Sequence, residues 1–214
     1  MRWLIRRSVS NLSSEYKVIF VGDSRTAGIQ ATLKKQMSSS VTNGVSFVAN
    51  PGKGLSWFRD TGYAQLIEEI DKTEGSKPIA VIFNLGVNDL GNAGNYVSYM
   101  TSIASTLKSK NCKLFYMSVN PVNSTMITKT GRGARTEAQV REFNSKIRSG
   151  LSLDYKYIDM YSVLMKKGYG TNASYNGTDA DSDDGLHYTT KTFKRIYYYC
   201  ITYLNTGSIN ASYY

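Results

Sequence analysis

The sequence predicts a three-layer α/β/α domain, doubly wound around a central five-stranded parallel sheet. Three observations predict it. Short apolar, β-branched runs alternate with helical stretches five times along the 214 residues. The runs are continuously apolar, as strands buried on both faces must be. They end in Gly, Ser, Asn and Asp, the residues that gather where the loops leave the C-terminal ends of such strands.

Residues 1–15 read as a polar leader, 16–205 as the folded domain and 206–214 as a polar tail. Lys17-Val18-Ile19-Phe20-Val21 is the first strand and runs straight into Gly22-Asp23-Ser24. Ile29, Leu33 and Met37 then share one face of a helix over 26–37. The second strand is 45–49, followed by Asn50-Pro51-Gly52-Lys53-Gly54, a turn by composition. Leu66, Ile67 and Ile70 mark a helix over 60–72. Ile79 to Leu85 is the strongest strand and ends at Gly86-Val87-Asn88-Asp89. Ile103 and Leu107 belong to a helix over 96–108. A fourth strand over 113–119 leads to Asn120-Pro121 and a polar loop, 121–134. Val140, Phe143, Ile147 and Leu151 recur with helical spacing over 137–151. A fifth strand, 155–160, a short helix, 161–167, and a loop, 169–185, follow, before Thr189 or Thr190 caps a last helix through Leu204.

Composition narrows the function classes. With 41% hydrophobic and 20% charged residues the chain is a folded protein and not a disordered one. The net charge of +10 suits anionic surroundings or plain solubility. No zinc-finger spacing, aromatic RNA-binding signature or basic region with heptads accompanies it, so nucleic acid is not an expected partner. No apolar run approaches the ~18 residues of a membrane helix. Met1-Arg2-Trp3-Leu4-Ile5-Arg6-Arg7 is too short in apolar residues for a signal peptide, yet the compartment stays open, an exported parent protein included. Cys112 and Cys200 read as two buried thiols without metal-ligand spacing. Asp179-Ala180-Asp181-Ser182-Asp183 imitates the start of a calcium loop, but the glycine comes one place late and Thr190 stands where a bidentate Glu belongs, so no metal site is expected.

His187 is the only histidine in the chain. It is therefore the first candidate for acid–base chemistry near neutral pH. Asp184 lies three residues before it, within reach to orient an imidazole. Ser24 sits where a strand meets a helix, so its hydroxyl is a candidate nucleophile and its N–H one of the unpaired donors of a helix start; it is equally a cap. Gly52 and Gly54 offer N–H groups in a tight turn, and the Asn88 amide can donate to an oxyanion or close an Asx-turn. Asp23 and Asp89 read as caps or loop braces. Between residues 121 and 150, Lys129, Arg132, Arg135, Arg141, Lys146 and Arg148 form either a basic rim beside a cleft or a solvated helix face.

Gly22-Asp23-Ser24, the Gly turn after strand two, Gly86-Val87-Asn88-Asp89 and Asp184-Gly185-Leu186-His187 occur in the order of the four blocks of the SGNH (GDSL-type) hydrolases, esterases and lipases named for a Ser, Gly, Asn and His. The sequence resembles that family from about residue 17 to 204. The resemblance implies a flavodoxin-like sheet and a cofactor-free serine hydrolase. In it Ser24 is the nucleophile, His187 the general base and Asp184 the carboxylate that holds the imidazole. The N–H of Ser24, the N–H of a block-two glycine and the Asn88 side chain form the oxyanion hole. Block two departs most from the family: Gly54-Leu55-Ser56 replaces the usual Gly-Asp/Glu-Thr, and Gly54 is favoured over Gly52. Arg25 stands where the GDSL name has leucine, and Asp183 competes with Asp184 for the orienting role.

The expected activity is removal of a short acyl group, acetyl first, from a carbohydrate or similar small ester. Two alternatives remain at this stage. One is an O-acyltransferase using the same triad, and the other a non-catalytic carbohydrate-binding domain on the same fold. The oligomeric state is not legible in the sequence.

Overall fold

The computed structural model describes residues 16–38, 42–73, 77–167 and 184–209. Five strands form one sheet: β1 (Lys17–Gly22), β2 (Val45–Ala49), β3 (Ile79–Asn84), β4 (Cys112–Met117) and β5 (Tyr155–Ile158). They run in the order β2-β1-β3-β4-β5, and every neighbouring pair is parallel. This is the expected fold class. The chain winds outward from β1 to β2, then returns across β1 to β3, so the order reverses between β1 and β3, where such sheets place their ligands. Register brings the loops there together, because Gly22 at the end of β1 pairs with Ala49 of β2 and Asn84 of β3.

Seven α-helices accompany the sheet among the described residues: α1 (Ser24–Gln36), α2 (Tyr63–Asp71), α3 (Ala93–Ser109), α4 (Ser124–Lys129), α5 (Glu137–Gly150), α6 (Met160–Lys166) and α7 (Thr190–Thr206), beside a single helical turn at Leu55–Trp57. Side chains alternate across each strand and divide the core in two. Ile19, Val21, Val81 and Phe83 pack with Leu66, Leu107, Phe143 and Ile147, from α2, α3 and α5. Val18, Phe20, Ala80 and Ile82 pack with Ile29, Leu33, Leu164, Phe193 and Ile196, from α1, α6 and α7. Both faces of the sheet are thus covered, which is why the strand runs are apolar without alternation.

Several boundaries differ from the sequence reading. Asp23 caps α1 by accepting the Arg25 N–H, so the helix begins at Ser24 and not at residue 26. The helix expected over 60–72 is preceded by the turn at Leu55–Trp57 and a π-helical turn, Phe58–Gly62, that leads without a break into α2. The segment 121–134, expected to be loop, contains α4, capped by Asn123 Oδ1 accepting from Met126 N–H. Cys112 and Cys200 are both free and buried. The leader, the end of the tail, the calcium-like run and Asp183 lie outside the described residues.

Candidate active site

Ser24 is the first residue of α1, at the C-terminal end of β1. Its Oγ lies 2.8 Å from His187 Nε2, and His187 Nδ1 lies 2.8 Å from Asp184 Oδ2. A carboxylate only accepts, so Nδ1 carries the proton and Nε2 is left to accept from the Ser24 hydroxyl. The three residues are therefore in one hydrogen-bonded line, although 163 positions separate Ser24 from His187.

Asp184 is held from both oxygens. Oδ1 accepts from the N–H groups of Leu186 (3.0 Å) and His187 (2.8 Å). Oδ2 accepts from the His187 ring and pairs with Arg132 Nε at 2.8 Å. Burial pushes the carboxyl pKa up, but the hydrogen bonds from the His187 backbone, the His187 ring and Leu186 outweigh it and leave the group below its ordinary value. Asp184 is thus an anion wherever a neutral imidazole would need one.

The turn that carries this pair is fitted against α4. Asn123 N–H donates to Gly185 O at 2.8 Å, and Thr130 Oγ1 donates to Asp184 O at 2.9 Å. Gly185 has φ +83°, and a Cβ there would meet Asn123 O at 2.5 Å and Ile127 N at 2.6 Å. Only glycine satisfies both the left-handed backbone and the close approach.

Arg25 ties the same turn to the sheet. It is 1% exposed, and its guanidinium donates to three carbonyls. Nε reaches Leu186 O (2.8 Å), Nη1 reaches Asn120 O (2.7 Å) and Nη2 reaches Pro121 O (3.0 Å). It also lies over the Tyr188 ring, 5.3 Å from its centre, while the Tyr188 hydroxyl donates to Pro121 O at 2.6 Å. The residue beside Ser24 thus joins the loop after β4 to the residue preceding His187.

Gly54 follows β2 as the residue before the turn at Leu55–Trp57. A Cβ on it would lie 2.4 Å from Asp89 Oδ2, so a side chain there would displace the Asp89 carboxylate. That carboxylate is occupied on both sides, accepting from Leu55 N–H (2.9 Å) and the Tyr96 hydroxyl (2.7 Å). Asp89 braces two loops, as the sequence reading has it. Gly52 has φ +74° and open space around its Cα. Asn88 follows β3; its Nδ2 donates to Lys53 O at 2.9 Å, and its Oδ1 accepts from Arg135 Nη2 at 2.9 Å. The turns after β2 and β3 are therefore joined side chain to backbone. Asp23 is buried under the site, and burial pushes its pKa up to about 6 against the opposing pull of the Arg25 N–H, the Arg25 charge and His187.

The basic residues of 121–150 divide. Arg132 and Arg135 reach into the site. Lys146 pairs with Glu142, and Arg148 with Asp159, on the outside of α5. Sequence reasoning gave Arg25 no structural role and set Arg132 and Arg135 in a basic rim or on a solvated face without naming their partners. Their partners are 161, 52 and 47 positions away, and no local pattern marks such pairing. Among the described residues no group of His, Cys, Asp and Glu is arranged to hold a metal ion, and no helix is long and apolar enough to cross a membrane.

The fold has counterparts among known proteins. The family of GDSL-like lipases and acylhydrolases matches residues 18–199. An acetyl xylan esterase superposes with a TM-score of 0.58 at 15% identity, covering 84% of this chain and 94% of its own. A protein from Bacteroides fragilis described as an acylhydrolase gives 0.61 at 16% identity, over 94% of this chain and 95% of its own. A protein from Parabacteroides merdae described as a GDSL-like lipase gives 0.57 at 13%, over 90% and 96%. At these identities the likeness is one of fold. No curated protein sequence matches the chain.

Proposed function

Because this chain belongs to the family of GDSL-like lipases and acylhydrolases, we propose that it hydrolyses short acyl esters, acetyl on a carbohydrate foremost, through an acyl-enzyme formed on Ser24. One observation carries the mechanism: the line of hydrogen bonds from Ser24 Oγ through His187 to Asp184, each 2.8 Å. His187 Nε2 takes the hydroxyl proton as Oγ bonds to the ester carbonyl carbon. The carbonyl π electrons move to oxygen, and the oxyanion is met by the N–H groups of Ser24 and Gly54 and by Asn88 Nδ2. The tetrahedral carbon then expels the alkoxide, which takes the proton from His187 and leaves as the alcohol. Water repeats the sequence: His187 removes its proton, its oxygen attacks the acyl carbon, and Ser24 leaves with the proton returned. Asp184 stays ionised throughout and stabilises the imidazolium.

Support for a small, polar substrate comes from amino-acid composition alone. Residues 168–183, which precede Asp184, contain no aliphatic side chain larger than alanine, and two tyrosines among Gly, Ser, Thr, Asn and Asp. Such a segment suits a sugar better than a fatty chain. The test is hydrolysis of p-nitrophenyl esters of increasing chain length, followed by acetate release from acetylated oligosaccharides. Activity should fall beyond the shortest chains and disappear in Ser24→Ala with the fold intact. Preference for long chains overturns the substrate, and a fully active Ser24→Ala overturns the mechanism.

A further inference from the structure

Of the oxyanion donors proposed above, Asn88 alone uses a side chain. An amide is ambiguous. Turned over, it presents Oδ1, an acceptor, where a donor is required. Two contacts decide its sense here: Arg135 Nη2 donates to Asn88 Oδ1, and Asn88 Nδ2 donates to Lys53 O, both at 2.9 Å. A guanidinium has donors only and a backbone carbonyl accepts only, so the reverse orientation would set donor against donor and acceptor against acceptor. One N–H of Nδ2 is used on Lys53 O, and the second is left for a ligand.

Arg135 is itself held. Its Nε donates to Val87 O at 2.7 Å and its Nη1 to Arg132 O at 2.5 Å. The same fork therefore grips the backbone and the side chain of the turn after β3, and it is half-buried there. A lysine could reach one of these acceptors, not all three. A cation bonded to Oδ1 also draws electron density from the amide and makes its N–H groups stronger donors.

We infer that Arg135 is a positioning residue of the oxyanion hole: it locks the Asn88 amide with Nδ2 as the presented group and strengthens that donor. The inference rests on the reading of Asn88 given above. Its magnitude is bounded on both sides. With Arg135 gone, Lys53 O alone still favours the productive sense, so turning of the amide costs at most about twofold, whereas losing the donor outright costs ~10²–10³ in kcat. With polarisation lost as well, Arg135→Met should lower kcat about tenfold on p-nitrophenyl acetate and leave KM nearly unchanged.

The deciding experiment is a double-mutant cycle on the full chain, measuring kcat, KM and thermal unfolding for wild type, Asn88→Ala, Arg135→Met and the double variant. If Arg135 acts through Asn88, its loss costs about tenfold in the wild-type background and nothing further once Asn88 is gone. A residue that merely ties the loop would lower kcat by the same factor in both backgrounds, and that result overturns the inference, as does an Arg135→Met with wild-type kcat. Should Arg135→Met fail to fold, Arg135→Lys, which keeps the charge but not the fork, carries the same cycle. Asn88→Ala with wild-type kcat beside an inactive Ser24→Ala removes the oxyanion assignment and this inference while leaving the nucleophile. An active Ser24→Ala removes the whole mechanism.

Discussion

Replacing Arg25 by leucine, the residue of the GDSL name, should destabilise this protein strongly. Arg25 is 1% exposed and supplies donors to Leu186 O, Asn120 O and Pro121 O. Leucine fills much of the space but leaves the Leu186 and Asn120 carbonyls without those donors, each at about 1–3 kcal/mol when buried, while Pro121 O keeps the Tyr188 hydroxyl. Against this stands the relief of no longer burying a guanidinium, several kcal/mol in an interior. The two unpaired carbonyls less that relief leave a net loss of about 3 kcal/mol. At roughly 2–4 °C per kcal/mol for a chain of this size, Tm should fall by roughly 10 °C.

Calorimetry or thermal circular dichroism measures this directly, and activity below the transition adds a second reading. Arg25 holds the carbonyl of the residue before His187, so the folded Arg25→Leu protein should also turn over more slowly, because the imidazole is less well held against Ser24. Arg25→Lys should fall between, since an ammonium cannot reach three separated carbonyls with one geometry. A Tm for Arg25→Leu within about 2 °C of wild type would refute the reasoning, because it would mean that the loop carbonyls find other donors at no cost.

Asp23 is kept above its ordinary pKa, at about 6, chiefly by burial, so the folded state binds its proton more tightly than the unfolded chain does. That makes the group a stabilising proton acceptor at acid pH and a cost above pH 6, so Asp23→Asn, which can still cap α1, should gain stability relative to wild type as pH rises from about 4 to 6. Parallel Tm-against-pH curves for the two proteins would count against it. Gly54→Ala should lower kcat by at least tenfold, because the new methyl must push Asp89 off Leu55 and Tyr96. Gly52→Ala should instead cost about 1–2 kcal/mol of stability from its left-handed backbone and little kcat. The reverse pattern, read from steady-state kinetics and Tm, would give the block-two role to Gly52.

The sheet was legible because burial on two faces demands unbroken apolar runs, and Ile79 to Asn84 is buried at every position. That Ser24, the glycine turn after β2 and Asn88 gather at one end of the sheet followed, since parallel register fixes which loops meet, whereas the preference for Gly54 over Gly52 rested on the family resemblance. The six residues of α4 escaped notice because they span less than two turns and bury one side chain, Ile127. The Asn123 cap was their single local signal. The π-helical turn was not legible either, for its Phe58 is set by packing against Phe83 and Tyr99 from other elements. Least legible were the arginines, whose roles come from carbonyls and side chains brought near by topology.

Those arginines share a physical reason. The site is built from loops, and loop carbonyls have no ladder or helix to satisfy them. Asn120, Pro121, Leu186, Val87 and Arg132 each present such a carbonyl, and in each case an Arg25 or Arg135 N–H meets it. A guanidinium suits the task better than a neutral amide, since it carries five donors in a fixed plane and cannot turn an acceptor the wrong way. Part of the +10 charge is therefore spent inside the fold, on holding His187 and Asn88 in place, and is not a surface device for attracting partners. Salt should then affect turnover only weakly through the buried Arg25, and act chiefly through the half-buried Arg135 and through Arg132, the exposed partner of Asp184.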